Sequence, residues 1–138
     1  MIVLDTNVIS EVMRPAPDPR VLRWVDKQPV ESIWITTISV YEVCSGLLSM
    51  PAGKKRTALL TLLERWLAQV VQGRIASFDQ AAARQAANLA AALKLNGRLR
   101  DARDTMIAGI VVASRATLAT RNVKHFEDIA KSVVNPWG

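Results

Sequence analysis

Short apolar, β-rich runs alternate with helical stretches along this chain, and that alternation limits the fold more than any other feature. The predicted strands are Ile2–Asp5, Ser32–Thr36 ("SIWIT"), Arg74–Phe78 ("RIASF"), Thr117–Thr120 and Ser132–Val134. Between them the spacing predicts helices over Asn7–Met13, Val21–Lys27, Thr37–Ser49 and Lys54–Val71, an alanine-rich helix from an Asp79 cap to Asn96-Gly97, and a nearly all-apolar helix over Asp104–Arg115. Strands joined through helices must run parallel, with both faces of the sheet covered by right-handed crossovers. The expected fold is therefore α/β: a three-layer α/β/α sandwich around a central parallel sheet of roughly five strands. No linker, repeat or low-complexity stretch divides it, so residues 1–138 read as one domain with one site.

With half of its 138 residues hydrophobic, the chain can bury a substantial core. Cys44, the only cysteine, excludes an internal disulfide and a thiolate zinc centre, and its place in its helix makes it a small core residue. The longest apolar stretch, Met106–Ala113, falls well below the roughly 18 residues of a membrane span, and no signal-like N-terminus precedes the first strand. The expectation is a soluble cytoplasmic protein. Lys and Arg number 18 against 12 acids, a net charge of +6 that suits a polyanionic partner such as nucleic acid. Lys54-Lys55-Arg56 form one basic group, and Lys94, Arg98, Arg100 and Arg103 another; each also fits plain solvated surface.

The polar residues at strand ends carry the chemistry. In open parallel sheets, sites form outside the carboxyl edge of the strands, near the point where strand order reverses. Asp5 ends the first strand there, although Asp5-Thr6-Asn7 also matches a capped turn into the first helix. Glu42 lies about one turn into the helix after the second strand, among small or polar neighbours, with Val40, Tyr41, Cys44, Leu47 and Leu48 as the expected core stripe. Ser39-Val40-Tyr41-Glu42 equally matches a capping box. Asp101 and Asp104 open the apolar helix, and one of the two is expected to be its cap. Asn122 follows the fourth strand, where alone it would be a turn residue.

Carboxylates gathered at one edge cannot all stay ionised without a compensating cation. A ligand set of oxygens alone points to Mg²⁺ or Mn²⁺ completed by water. Such an ion polarises a phosphoryl oxygen and activates water, and beside basic groups suited to phosphates this is nuclease chemistry. His125 is the only histidine; a solvated loop position is the commoner fate of such a residue, and a catalytic role the sharper alternative.

Four stretches, "IVLDTNVISE", "TTISVYEVCSG", "RDTMIAGIVVASRATLATRN" and "NPWG", span essentially the whole chain in order. Together they resemble the PIN-domain ribonucleases, and more closely the VapC or FitB type of toxin from bacterial toxin–antitoxin pairs. The resemblance implies a single PIN-like domain over residues 1–138 and a Mg²⁺- or Mn²⁺-dependent endoribonuclease. Its catalytic acids and metal ligands would be Asp5, Glu42 and Asp104, Glu42 often through a water, with Asn122 as a weak further ligand. Thr6, Asn7 and Asp101 would support them, and Arg98, Arg100, Arg103 and Arg121 are the candidates for RNA phosphates. Where the family often carries a fourth acid, this sequence has Asn122, which favours one firmly held ion. The resemblance further implies a small antitoxin that threads a segment toward the acids and a homodimer or a heteromeric complex with it; Val21, Leu22 and Trp24 are candidates for its contacts, with core packing the expected fate of at least some of them.

Two other classes compete. A phosphatase with a strand-end aspartate nucleophile is disfavoured because Asn7 stands where its second acid would be. A non-catalytic nucleic-acid-binding module of the same fold is the alternative that Asn122 suggests and the three acids oppose.

Overall fold

The computed structural model describes all 138 residues. Its strands are β1 (Ile2–Leu4), β2 (Ile33–Thr36), β3 (Ile75–Ala76), β4 (Thr117–Ala119) and β5 (Val133–Val134). They form one sheet in the order β3-β2-β1-β4-β5, with every neighbouring pair parallel. Six α-helices cover it: α1 (Thr6–Val12), α2 (Pro19–Asp26), α3 (Thr37–Leu48), α4 (Lys54–Trp66), α5 (Gln80–Leu95) and α6 (Ala102–Ser114). The expected α/β/α sandwich is thus the observed fold. No helix is long and apolar enough to cross a membrane.

Strand alternation divides the core in two. Leu4, Ile33, Ile35 and Ala119 face one side, where they meet Val8 and Ile9 of α1, Val21 of α2, Val43 of α3 and Leu63 of α4. Val3 and Leu118 face the other, against Ile107, Ala108 and Val111 of α6. The alanine-rich α5 packs on α6 through a contact that only glycine allows: a Cβ on Gly109 would lie 2.5 Å from the Ala82 carbonyl oxygen and 2.7 Å from the Ala86 Cβ. Helix α6 is thereby fixed along its length, with its N-terminus at the carboxyl edge of the sheet.

Several elements differ from expectation. Strand β3 keeps two residues of the predicted Arg74–Phe78. Arg74 joins it to the sheet, donating from Nε to the Ile33 carbonyl at 2.8 Å and from Nη2 to the carbonyls of Val30 and Val70. The last turn of the predicted Lys54–Val71 helix is a π-turn, Leu67–Val71, closed by Gln72 in the left-handed region. Residues Val123–Ser132, outside the predicted elements except for Ser132 of the last strand, are 3₁₀ turns kinked at Phe126 and Ile129. Those two side chains are buried and stand three apart, which matches the three-residue turn of a 3₁₀ helix. On α3 the expected core stripe is corrected: Tyr41 and Leu48 are 62% and 56% exposed, and Val43 and Ser39 are buried in their place.

Candidate active site

Strand order reverses about β1, which pairs with β2 on one side and β4 on the other. The cavity that opens at this edge, about 500 Å³, is lined by Asp5, Glu42, Asp104, Asn7, Asn122 and Arg121, among others. The acids predicted from three separate segments therefore meet in one place.

Asp5 is 4% exposed and serves two structures at once. One carboxylate oxygen, Oδ1, caps α1 by accepting the Thr6 N–H at 2.8 Å. The other, Oδ2, accepts the Thr120 hydroxyl at 2.7 Å and the Asn7 amide at 3.3 Å. The register Leu4↔Ala119 sets Thr120 beside Asp5 at the ends of adjacent strands. Burial pushes the Asp5 carboxyl above the usual carboxylate range; the Thr120 and Thr6 hydrogen bonds oppose this, and the nearby Asp104 and Glu42 charges add to it.

Glu42 is freed from capping. The N-cap of α3 is Thr36, whose oxygen accepts the Ser39 N–H at 3.0 Å, so the Ser39-x-x-Glu42 capping box does not form. Instead Thr6 Oγ1 lies 2.9 Å from Glu42 Oε1 and 3.0 Å from Ser39 Oγ. A hydroxyl has one proton to give, and the carboxylate can only accept. Thr6 therefore donates to Glu42 and accepts from Ser39, which in turn accepts from Thr36 at 3.3 Å. This relay holds the acid from β1 and β2 together.

Asp101 and Asp104 divide their work as predicted. Asp101 caps α6, accepting the Arg103 N–H at 2.9 Å, and the Arg103 guanidinium beside it holds its carboxyl below the usual range. Asp104, one turn on, is left free to line the cavity, with the ring of His125 at 3.2 Å from its Oδ2. His125 is exposed but not adrift in a loop. Asn122 takes its place through its backbone, donating to Thr120 Oγ1 at 3.0 Å, and Asn7 Oδ1 accepts the Arg121 N–H at 3.2 Å.

Two residues that sequence reasoning passed over complete the site. Thr120, fully buried, ties Asp5, Asn7 and Asn122 together; its only signal was a hydroxyl residue on the predicted strand end. Glu11, also buried, lines the cavity but is engaged by Arg14 at 3.3 Å and by the Asp18 N–H at 3.1 Å.

The arginines sort differently from expectation. Arg100 is corrected: its side chain is 5% exposed, pairs with Asp128 at 2.6 Å and stacks over Phe126, so it braces α6 against the 3₁₀ segment and cannot reach a phosphate. Arg98 pairs with Glu127, and Arg103 bridges Asp101 and, at 3.7 Å, Glu42. Arg121 alone of the four lines the cavity without a carboxylate partner, its guanidinium 5.2 Å from the Trp137 ring centroid. Of the candidates for partner contacts, Val21 is the one that packs in the core, fully buried and unavailable to a partner.

The donor set fits a hard cation. Every candidate ligand is an oxygen, and a buried carboxylate held beside two others lacks a neutralising partner. As the side chains stand, no three acidic or histidine groups converge on one ion position. Asp5, Asp104 and Glu42 would hold such an ion together with several waters, Glu42 being oriented by Thr6.

The PIN-domain family model matches residues 2–132. The chain is 42% identical to a VapC ribonuclease, Y4jK, of Sinorhizobium fredii, over 99% of this chain and 98% of that protein. It is 36% identical to toxin FitB of Neisseria gonorrhoeae, over 99% of each. Among solved structures, FitAB bound to an IR36 DNA fragment superposes with a TM-score of 0.92 at 36% identity, covering 100% of this chain and 96% of that one.

Proposed function

Because the chain belongs to the PIN-domain family, we propose that it is a metal-dependent endoribonuclease and the toxin of a toxin–antitoxin pair, with residues 1–138 forming one PIN-like domain. The observation that carries this is the meeting of Asp5, Glu42 and Asp104 in one cavity at the strand-order reversal. The names of its ribonuclease and toxin relatives support the substrate class and the biological role.

Asp5 and Asp104 would hold Mg²⁺ or Mn²⁺, with Glu42 reaching it through water and Asn122 at the margin. When bound, that ion polarises the phosphodiester and lowers the pKa of a water. The chain's own residues do the positioning. Thr120 and Asn7 fix the Asp5 carboxylate, Thr6 aims Glu42, and His125 steadies Asp104. Arg121 offers a cation at the rim for a phosphate beside the scissile one. The site of action is the cytoplasm, where the RNA is.

A second cavity, about 580 Å³, adjoins the acidic one through Thr6, Ser10, Arg14 and Glu42, and is otherwise mostly apolar, with Met13, Val43, Leu47 and Leu59 in its wall. It supports the seating of an apolar antitoxin segment that ends at the acids. Leu95 and Leu99, 88% and 92% exposed, supply apolar surface for a homodimer or a larger complex.

Incubation of the purified protein, freed of partner, with total RNA and Mg²⁺ or Mn²⁺ tests the proposal. Discrete cleavage lost with EDTA and with Asp104→Asn is the expected result. Intact RNA from a folded sample, with binding retained, would favour the non-catalytic module instead.

A further inference from the structure

A third cleft, about 270 Å³, lies between α2 and the C-terminal residues and is lined by Arg20, Arg23, Trp24, Lys27, Asn135 and Trp137 among its residues. No acidic side chain contributes to its wall, which Pro136 and Gly138 complete. Arg20 is engaged by Asp18 at 2.8 Å, whereas Arg23 and Lys27 are exposed and have no carboxylate within 4.0 Å. Trp137 belongs to the walls of both this cleft and the acidic cavity, and Arg121 covers its ring. Asn135 uses its side-chain oxygen to accept the Trp137 N–H at 3.0 Å, which leaves its amide hydrogens for another acceptor.

Cations that lack partners, beside aromatic rings and continuous with a phosphodiester-cleaving cavity, are the components of a single-strand nucleic-acid groove. Resting on the proposed ribonuclease function, we infer that the cleft of Arg23, Trp24 and Lys27 holds the single-stranded RNA flanking the scissile bond, which passes Arg121 and Trp137 to reach it. Its phosphates meet Arg23 and Lys27. A base stacks at the exposed part of Trp24. An acidic protein segment would meet the same charges, but its carboxylates would be repelled by Asp5, Glu42 and Asp104 of the adjoining cavity, whereas an RNA strand runs on to the scissile phosphate there.

The test measures binding of a short single-stranded RNA to full-length protein as a function of salt, in an Asp104→Asn background so that cleavage does not interfere. Arg23→Ala/Lys27→Ala is compared with Arg84→Ala/Lys94→Ala, which removes the same charge from the exposed face of α5. Two lost phosphate contacts lower the logarithmic salt slope by about 1.4, so from about 50 to about 200 mM salt the parent loses about seven-fold more affinity than the cleft variant. The expected result is that loss of slope in the cleft variant alone. Equal slopes in both variants, with the wild-type protein still cleaving RNA, overturn the cleft and spare the ribonuclease. A parent that does not bind RNA, together with a wild-type protein that does not cleave it, overturns both. Binding of poly-glutamate that the cleft variant loses, with its RNA slope unchanged, reassigns the cleft to an acidic protein segment and also refutes the inference.

Discussion

Replacing Gly109 by alanine should destabilise this protein, although the same change in most helices stabilises it. The gain from helix propensity is about 0.8–1.0 kcal/mol. Against it, the new Cβ would stand 2.5 Å from the Ala82 carbonyl oxygen, 2.7 Å from the Ala86 Cβ and 2.9 Å from the Ala86 nitrogen. None of these is the far end of a flexible side chain, so α5 and α6 must separate. Overpacking of this kind costs about 1–3 kcal/mol, and with contacts this short the upper half of that range applies. The net loss is about 1–2 kcal/mol. For a domain of this size that lowers Tm by roughly 3–8 °C, read by calorimetry or far-ultraviolet circular dichroism. Because α6 carries Asp104 five residues from Gly109, cleavage should fall as well, below the temperature at which the fold is lost. Ala86→Gly in the same chain removes only one of the three contacts and costs about 0.8–1.0 kcal/mol of helix propensity in α5, so it should not rescue the variant. A Gly109→Ala variant with a Tm at or above wild type would refute the close-packing account of α5 on α6.

Other consequences follow from the site. Asp5→Asn should raise Tm in metal-free buffer at neutral pH while abolishing cleavage, because a buried carboxyl with a raised pKa binds its proton more tightly in the folded state. Its stabilising contribution is present in acid and is lost as pH climbs through the folded value, so the difference between variant and wild type should widen with rising pH. Thr120→Val removes a buried 2.7 Å hydrogen bond to that carboxylate and leaves two further donors unanswered; a loss of about 2 kcal/mol in chemical denaturation is expected, with a fall in kcat larger than any change in KM. Arg100→Ala should cost about 1–2 kcal/mol, through the lost packing of its buried side chain on Phe126 and the lost pair with the partly exposed Asp128, whereas Arg98→Ala, breaking an exposed pair, should change stability by less than about 1 kcal/mol.

The sheet was legible because β1, β2 and β4 are apolar on both faces, a pattern that only a strand covered twice produces. Thin edge strands were less so: β3 and β5 have two residues each, and β3 depends on the Arg74 side chain reaching the carbonyls of Val30 and Ile33, a long-range contact that no local pattern encodes. The site acids were found because strand ends in a parallel sheet converge. Their competing capping roles were decided by single hydrogen bonds, Thr36 taking the cap of α3 and Asp101 that of α6. Burial explains the misjudged residues. Arg100 sits in a basic run yet is enclosed by Asp128 and Phe126, both from a segment that reads as loop. Thr120 looked like the end of a strand, and its importance lies in a neighbour 115 residues away.

The most direct measurement is a Mn²⁺ titration of wild type and Asp5→Asn, followed in the same samples by calorimetric binding and by cleavage of one defined RNA. The concentrations that half-saturate binding and half-activate cleavage should coincide in the wild-type protein, and both signals should vanish in the variant. Cleavage that persists in Asp5→Asn, or that continues in wild type once the metal is chelated, would contradict the assignment of this acidic cavity as the catalytic metal site.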